Sequence, residues 1–393
     1  MDDIHLSREI LRAFEAGELP WQAVVEIALD HLVSRCPHCR AEVEAFEVEC
    51  RARAFGPDRV LPILQSLGEQ ETRRHSKEEV DAKRDLAEIL SLPADHRAAR
   101  IERARTRFRS SILARLLLEE SRGCLPGRPG EGLHFADLAR MVINRNPRSP
   151  EYFDLYVLST AFIGNACRAG GNLSDASQHF AHARQVMAQH GVTNPEVVAR
   201  VDDLIGSLRK DQRRLRDSEK LLKRAAALFE LIHASDDAAR VLIKLGAVYN
   251  HQKDANRAIE TTRSALALLG PDAEPRLHLC GTYNLAFYLT AAGRFEEAAE
   301  VLEWNEALFR RFPEPWTQLR LLWLRGDIDL GLGHLAATEQ AYAGARDGFI
   351  AQGIGYDAAM VSLDLSVLYL RQGRTGDVRR LAEEMVPLFQ AQD

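Results

Sequence analysis

Residues 245–269 read LGAVYNHQKDANRAIETTRSALALL, and residues 285–309, forty positions later, read LAFYLTAAGRFEEAAEVLEWNEALF. Small residues occupy the second and fourteenth places of both segments, as at Gly246 and Ala258. A period of this length is typical of an array in which each repeat is one helical hairpin. The forty-residue step runs through the C-terminal part of the chain and connects Ser218, Ala258, Ala298, Thr338 and Val378.

Two further columns of residues keep the same step. Twelve residues before the markers, small side chains would let two helices approach closely, at Gly206, Gly246, Ala286, Gly326 and Ser366. Five residues before the markers, the last three residues are glycines that suit a left-handed turn, in the column Arg213, Lys253, Gly293, Gly333 and Gly373. One hairpin cannot bury its own apolar face, so stacked hairpins must share a core. We predict an all-α protein with about seven hairpins over residues 106–393.

This spacing resembles that of the tetratricopeptide repeat. The usual period of that family is ~34 residues, so these hairpins carry about six more. The resemblance implies a right-handed α-solenoid in which the inner helix of each hairpin lines a concave groove. The clearest copies of the motif are Leu245-Gly246-Tyr249-Ala258-Ala265 and Leu285-Ala286-Gly293-Ala298-Leu302.

In that family, four positions of each inner helix meet the ligand, and the resemblance assigns ten residues of this chain to a partner groove. Most of the four columns are apolar or aromatic, which favours an amphipathic helix or an apolar peptide as the ligand. The lysine and asparagine columns that clamp a terminal carboxylate in chaperone-binding relatives are lacking. The alternative is that these residues only fill contacts between hairpins. The ten are Arg240, Ile243, Asn250, Tyr283, Phe287, Arg320, Trp323, Asp327, Leu363 and Val367.

The composition agrees with a helical protein that acts by binding. The 393 residues are 46% hydrophobic and 27% charged, and the formal charge of −6 argues against nucleic acid as a partner. No apolar stretch approaches the ~18 residues needed to cross a membrane, and the start MDDIHLSREI is too acidic for a signal peptide. The six cysteines show no regular pairing, which suits a reducing compartment. We therefore expect a cytoplasmic protein without a membrane partner.

Residues 1–50 carry a candidate metal site. His31 precedes the Cys-x-x-Cys formed by Cys36 and Cys39, and His5 lies about one helical hairpin upstream. Thiolates and imidazoles in this order can close a tetrahedral zinc site. A helical domain of about fifty residues has too small a hydrophobic core to be stable without a metal ion that links its helices. We predict a small helical head held by one structural zinc ion.

This head resembles the zinc-binding anti-sigma domain of bacteria. Four residues instead of three separate His31 from Cys36, so a helix must end between them for both side chains to face one metal. His38 is a competing ligand. Two alternatives stay open: thiols packed at a helix end without metal, and redox sensing in which Cys50 takes part. By position, the resemblance implies the ligands His5, His31, Cys36 and Cys39.

Residues 51–105 are predicted to form a helical connector between the head and the array. The arginines between Arg97 and Arg109 could contact nucleic acid or an acidic partner, but no aromatic interleaving accompanies them, which favours a solvated helix face. The chain contains no phosphate loop, nucleophile elbow or His-Glu-x-x-His motif. We therefore predict that the protein is not an enzyme.

Two functions follow from these features. The first is a bacterial regulator whose zinc head sequesters a partner such as a sigma factor while the groove docks a peptide or a second protein. The second is a scaffold for a protease or signalling complex, in which the zinc is purely structural, and a thiol redox sensor is a remote third. No polar capping helix follows the last hairpin in the sequence, which predicts homo-oligomerisation there, a covering partner, or a longer natural chain.

Overall fold

Every regular element is an α-helix in the computed structural model, which describes residues 8–15, 41–42, 45–46, 61–125, 127–270 and 272–390. The prediction of an all-α fold is therefore confirmed. Over these residues, no helix is long and apolar enough to cross a membrane.

Before the array, the described residues include the helices α1 (Arg8–Glu15), α2 (Leu61–Ser91) and α3 (Ala94–Arg103). The end of α2 and α3 share a core with the hairpins that follow, because Ile89 and Ile101 are fully buried in it.

Two of the arginines predicted to lie on a solvated face are instead engaged with acidic side chains of α2. Arg107 donates hydrogen bonds to Asp85 and, at 2.7 Å, to Glu88, and Arg100 donates to Glu88 at 2.6 Å. The hydrogen bond from Arg107 is the main cause of a lowered pKa of Glu88. These pairs leave less open positive charge than the sequence alone suggested.

Seven hairpins follow, as predicted, three in a unit that spans Met1–Ala234 and four in a unit that spans Ser235–Asp393. The hairpins of the first unit are α4–α5 (Ser111–Cys124 and Pro129–Asn144), α6–α7 (Tyr152–Ala169 and Leu173–His190) and α8–α9 (Pro195–Asp211 and Leu215–Leu231). Those of the second unit are α10–α11 (Ser235–His251 and Ala255–Leu268), α12 with α13 and α14 (Pro275–Ala291, Phe295–Trp304 and Glu306–Arg310), α15–α16 (Pro315–Leu332 and Leu335–Ala351) and α17–α18 (Gly355–Arg371 and Thr375–Gln390).

The helix starts confirm the forty-residue period. First helices begin at residues 195, 235, 275, 315 and 355, and second helices begin at 215, 255, 295, 335 and 375. Proline is the first helical residue at 195, 275 and 315, where its fixed φ suits the helix and its missing N–H costs nothing. Each repeat therefore starts its first helix at the same point of the pattern.

The column of small residues lies where the two helices of a hairpin cross. A Cβ on Gly206 would come within 2.8 Å of Leu222, and one on Gly326 would come within 2.6 Å of the ring of Tyr342. In both hairpins the opposing side chain lies sixteen residues after the glycine. Larger residues would have to push the helices apart, so the small column sets the distance between the helices.

The turn column is left-handed in all five hairpins that keep the strict period. The φ angles are 75°, 81° and 74° at Gly293, Gly333 and Gly373, and 61° and 64° at Arg213 and Lys253. The sequence predicted this conformation only for the glycines. Arg213 and Lys253 adopt it against their side-chain preference, because the hairpin needs the same turn whichever residue occupies it.

One second helix is interrupted. The alanine that is fully buried at Ala265 and Ala345 is replaced by Asn305 in the hairpin between them. The Asn305 side chain donates to the carbonyl oxygen of Val301 at 2.8 Å, and helix α13 ends there before α14 begins. Asparagine competes with the helical hydrogen bonds in this way when it replaces alanine.

Candidate functional site

The ten residues predicted for the groove all lie on first helices of the second unit, α10, α12, α15 and α17. Their exposure differs from hairpin to hairpin. Ile243 on α10 is only 7% exposed, whereas Leu363 and Val367 on α17 are exposed. The other seven are partly buried: Arg240, Asn250, Tyr283, Phe287, Arg320, Trp323 and Asp327.

The middle of this surface is a cluster of aromatic side chains around Arg320. The guanidinium carbon of Arg320 lies 5.4 Å from the ring centroid of Trp316, 5.8 Å from that of Trp323 and 6.0 Å from that of Tyr283. An Arg320 nitrogen lies 3.7 Å from a carboxylate oxygen of Asp357. Aromatic faces attract a cation at such distances, so the rings and the guanidinium hold one another in place.

Two carboxyl groups lie beside this aromatic cluster. Asp327 accepts a hydrogen bond of 2.7 Å from the hydroxyl of Tyr342, and Asp364 accepts one of 2.9 Å from the indole nitrogen of Trp323. Neither carboxylate forms an ion pair with a lysine or arginine among the residues that the structure describes. Both side chains are partly buried, so any negative charge here is poorly compensated.

The pKa values of the two carboxyl groups reflect these surroundings. Burial raises the pKa of Asp327 to about 6, the hydrogen bond from Tyr342 opposes this rise, and the nearby charge of Asp364 adds to it. Burial also raises the pKa of Asp364, against the hydrogen bond from Trp323. Carboxyl groups with raised pKa values are concentrated at functional sites, because a site selected for binding need not be optimal for stability.

Several predicted groove residues also contact the next hairpin. The hydroxyl of Tyr283 lies 3.5 Å from the carbonyl oxygen of Arg320, and Arg240 donates to Glu274 at 3.1 Å. The indole of Trp323 reaches Asp364 on α17. The alternative role in contacts between hairpins therefore applies to these side chains, while their partly exposed surfaces stay available to a ligand.

Sequence reasoning missed three members of the cluster, Trp316, Tyr342 and Asp364. Trp316 lies one helical turn before the column residue Arg320, and Asp364 follows the column residue Leu363 directly. Tyr342 comes from the second helix of its hairpin, forty residues after Leu302 of the repeat motif. The spacing of four residues between Trp316 and Arg320 is a signal that places both on one helix face, whereas no spacing along the chain marks Tyr342 or Asp364 as partners of column residues.

The predicted zinc ligands His5, His31, Cys36 and Cys39 lie outside the described residues, as does Cys50. In the part of the chain that the structure describes, no group of three or more His, Cys, Asp or Glu side chains could hold a metal ion.

No family model and no curated protein matches the sequence. Three solved structures of Rap-type proteins share the fold. A Rap protein complexed with competence and sporulation factor aligns with a TM-score of 0.55 and 13% identity, covering 70% of this chain and 76% of that chain. The apo form of RapI aligns with a TM-score of 0.57 and 11% identity over the same shares of the two chains, 70% and 76%.

Aspartyl phosphate phosphatase F from Bacillus subtilis aligns over more of the chain. Its TM-score is 0.52 at 13% identity, and the alignment covers 94% of this chain and 92% of that chain. At such identities the likeness shows the fold alone, which is a TPR-like array of helical hairpins. The phosphatase description belongs to that protein.

Proposed function

We propose that this chain is a non-catalytic interaction protein that binds a segment of a partner on the first helices of its second unit. The ligand is an apolar peptide or an amphipathic helix, laid across α10, α12 and α15. The observation that carries the proposal is the cluster of Tyr283, Trp316, Trp323 and Arg320 beside the uncompensated carboxyl groups of Asp327 and Asp364.

The chemistry of the cluster indicates which side chains the ligand should carry. Partly exposed aromatic rings favour apolar side chains, and rigid aromatic residues contribute much of the energy in binding sites. A basic group of the ligand would compensate the charge of Asp327 or Asp364, which no described lysine or arginine does. The fold comparison supports this use of the surface only in general terms, since one of the similar structures is a complex with a competence and sporulation factor.

The test is a selection of peptides from a phage-displayed library against the full chain, followed by calorimetric titration of the selected peptides. Trp323→Ala should weaken binding at least tenfold, equivalent to ~1.4 kcal/mol, because it removes the central ring. Trp304→Ala is the matched control, since Trp304 is 78% exposed and lies outside the cluster. Circular dichroism of each variant checks that it is folded.

Two results would overturn this part of the proposal. One is a library that yields no binding peptide. The other is a set of peptides that bind Trp323→Ala and Asp327→Asn as tightly as the native chain, because their site would then lie elsewhere.

The head forms the second part of the proposal and rests on the sequence. Two thiolates and two imidazoles, from Cys36, Cys39, His5 and His31, are a common donor set for structural zinc. We propose that they hold one zinc ion and that the head so formed captures a sigma factor. The alternative is a scaffold for a protease or signalling complex, with a head that has no partner of its own.

Metal analysis of the chain purified without added metal tests the head. One zinc per chain, lost in Cys36→Ser and in Cys39→Ser, is the expected result, and no zinc in the native chain would exclude the site. Titration with a purified sigma factor then separates the two functions. Binding that Cys36→Ser abolishes supports sequestration, whereas a zinc-loaded head that binds no sigma factor supports the scaffold.

A further inference from the structure

The C-terminal hairpin has a face that is equivalent to the one with which each other hairpin of the second unit contacts the next hairpin. One column on the first helices consists of Ile243, Tyr283, Trp323 and Leu363, forty residues apart. Ile243 lies 3.3 Å from the place of a Cβ on Gly281, and Tyr283 and Trp323 reach α15 and α17 by the contacts given above. Leu363 is 49% exposed, because no described hairpin packs on it.

The second helices follow the same rule. Leu266 on α11 lies 2.8 Å from the place of a Cβ on Gly281, and Arg346 on α16 is paired with Glu384 of the next hairpin. The member of this column on α18 is Val386, which is 52% exposed. The side chains that contact the next hairpin elsewhere therefore have equivalents on the last hairpin. These equivalents contact no further hairpin among the described residues.

The exposed apolar residues of this face form a regular pattern. Five of them lie on α17 at spacings of four, three, four and three residues, which is the spacing of a helix that packs along a partner helix. We call this face the end seam. Its members are Tyr356, Met360, Leu363, Val367, Leu370 and Val386.

We propose that the end seam binds a second copy of this chain in a two-fold dimer. A two-fold interface needs a surface that is complementary to itself, and a seam with alternating spacings of three and four meets this condition when two α17 helices pack antiparallel. In that arrangement Leu363 lies near the axis and Tyr356 approaches Leu370 of the other copy.

The charges at the rim also fit a second copy. Arg379 and Glu383 lie on α18 at positions whose equivalents on other second helices pair with the next hairpin. Glu339, in the column of Arg379, pairs with Arg374 at 2.7 Å. Arg263, in the column of Glu383, pairs with Glu297 at 3.0 Å. Arg379 and Glu383 are exposed and form no ion pair within the described residues. A rim with one positive and one negative group of this kind suits a partner that offers the same two groups, and it would attract a strongly charged partner poorly.

Asp364 of the proposed peptide groove follows Leu363 on α17, whereas Val386 of the end seam lies on α18, which carries no residue of the groove. Leu363 and Val367, which the column pattern also assigns to the groove, contact the second copy, and the peptide lies over α10, α12 and α15. Dimerisation and peptide binding can therefore fail independently.

The experiment is multi-angle light scattering of the full chain during size-exclusion chromatography, in reducing buffer and across a concentration series. The native chain should be a dimer at about 50 µM, and Leu363→Glu and Val386→Glu should each raise the dissociation constant at least tenfold. Val80→Glu is the matched control, because Val80 is an exposed valine on α2, at 66% exposure, and should leave the dimer unchanged. Circular dichroism confirms that each variant is folded.

A native chain that remains a monomer up to about 200 µM would overturn the proposal, because a specific dimer should be populated at that concentration. A dimer that persists in both seam variants would also overturn it. If the native chain is a monomer and Leu363→Glu lowers its melting temperature, another part of the same chain covers the end seam. That result would also contradict binding of a second copy.

Discussion

Asp202 in the first unit and Asp327 in the second are acidic side chains on first helices with opposite surroundings. The Asp202 side chain is 2% exposed and lies 3.3 Å from Arg184 of α7 and 2.5 Å from Arg224 of α9. Asp327 accepts a hydrogen bond from the hydroxyl of Tyr342 and has a second carboxyl group nearby. It forms no ion pair with a lysine or arginine among the described residues.

The difference separates a structural carboxylate from a candidate binding carboxylate. The charge of Asp202 is balanced and joins three helices, so it stabilises the array wherever the two arginines stay in place. The charge of Asp327 lowers stability near neutral pH, and such a cost is typical of residues retained for function. The predictions below ask whether the two carboxyl groups differ as these surroundings require.

The largest effect is expected at the balanced carboxylate. Asp202→Asn keeps the volume but removes the charge that faces Arg184 and Arg224, so the free energy of unfolding should fall by about 2–3 kcal/mol. This value is below that of a fully buried pair because both arginines are partly exposed and can recover water. Urea unfolding followed by circular dichroism measures it. A change below about 0.5 kcal/mol would show that the ion pairs of Asp202 contribute little to the stability of the folded chain.

The opposite sign is expected at Asp327. Because its pKa is raised to about 6, the folded chain retains a proton that the unfolded chain releases near pH 4. The stability from this proton is complete below pH 4 and is lost as the pH rises through 6. Asp327→Asn should therefore stabilise the chain at pH 7.5 by about 1–2 kcal/mol, and the gain should vanish at pH 4.

Melting temperatures of the native chain and Asp327→Asn, measured from pH 4 to pH 8, test this prediction. Equal pH profiles would mean that Asp327 is not the group that titrates. If the same variant is more stable but binds the selected peptides more weakly, the two results together identify a carboxylate kept for binding.

The smallest of the three effects is expected at the hydrogen bond between Trp323 and Asp364. Trp323→Phe keeps the aromatic face but removes the indole donor, which leaves a partly buried carboxylate without it. We expect a loss of about 1 kcal/mol at pH 7.5 and a smaller loss in acid, where Asp364 is neutral. Trp304→Phe should change nothing, since that side chain is exposed. Equal melting temperatures for the two variants would contradict the role of the donor.

Much of the fold could be predicted because the repeat makes local choices consistent. The forty-residue step located the small column and the turns, and both depend on residue size or backbone preference within one hairpin. Arg213 and Lys253 show the limit of residue type, because they take a left-handed φ that only the column, and not the side chain, predicts.

The candidate site was predicted only in part, and the omissions have a common cause. The ten column residues include Tyr283, Arg320, Trp323 and Asp327, but the partners Trp316, Tyr342 and Asp364 lie off the columns. Trp316 shares α15 with Arg320, whereas Tyr342 and Asp364 reach the cluster from another helix and from the next hairpin. The period says which residues occupy equivalent places, but it does not say how far apart side chains on adjacent helices lie.

Residue spacing was therefore sufficient to establish an all-α array of seven hairpins, because helical periodicity and small-residue contacts are short-range along the chain. Only the tertiary structure decided which carboxyl group is balanced by arginines and which is not, because side chains from separate helices create the local charge and burial. The end seam needed both, since the sequence predicted an uncapped last hairpin, and the structure shows which of its apolar side chains are exposed.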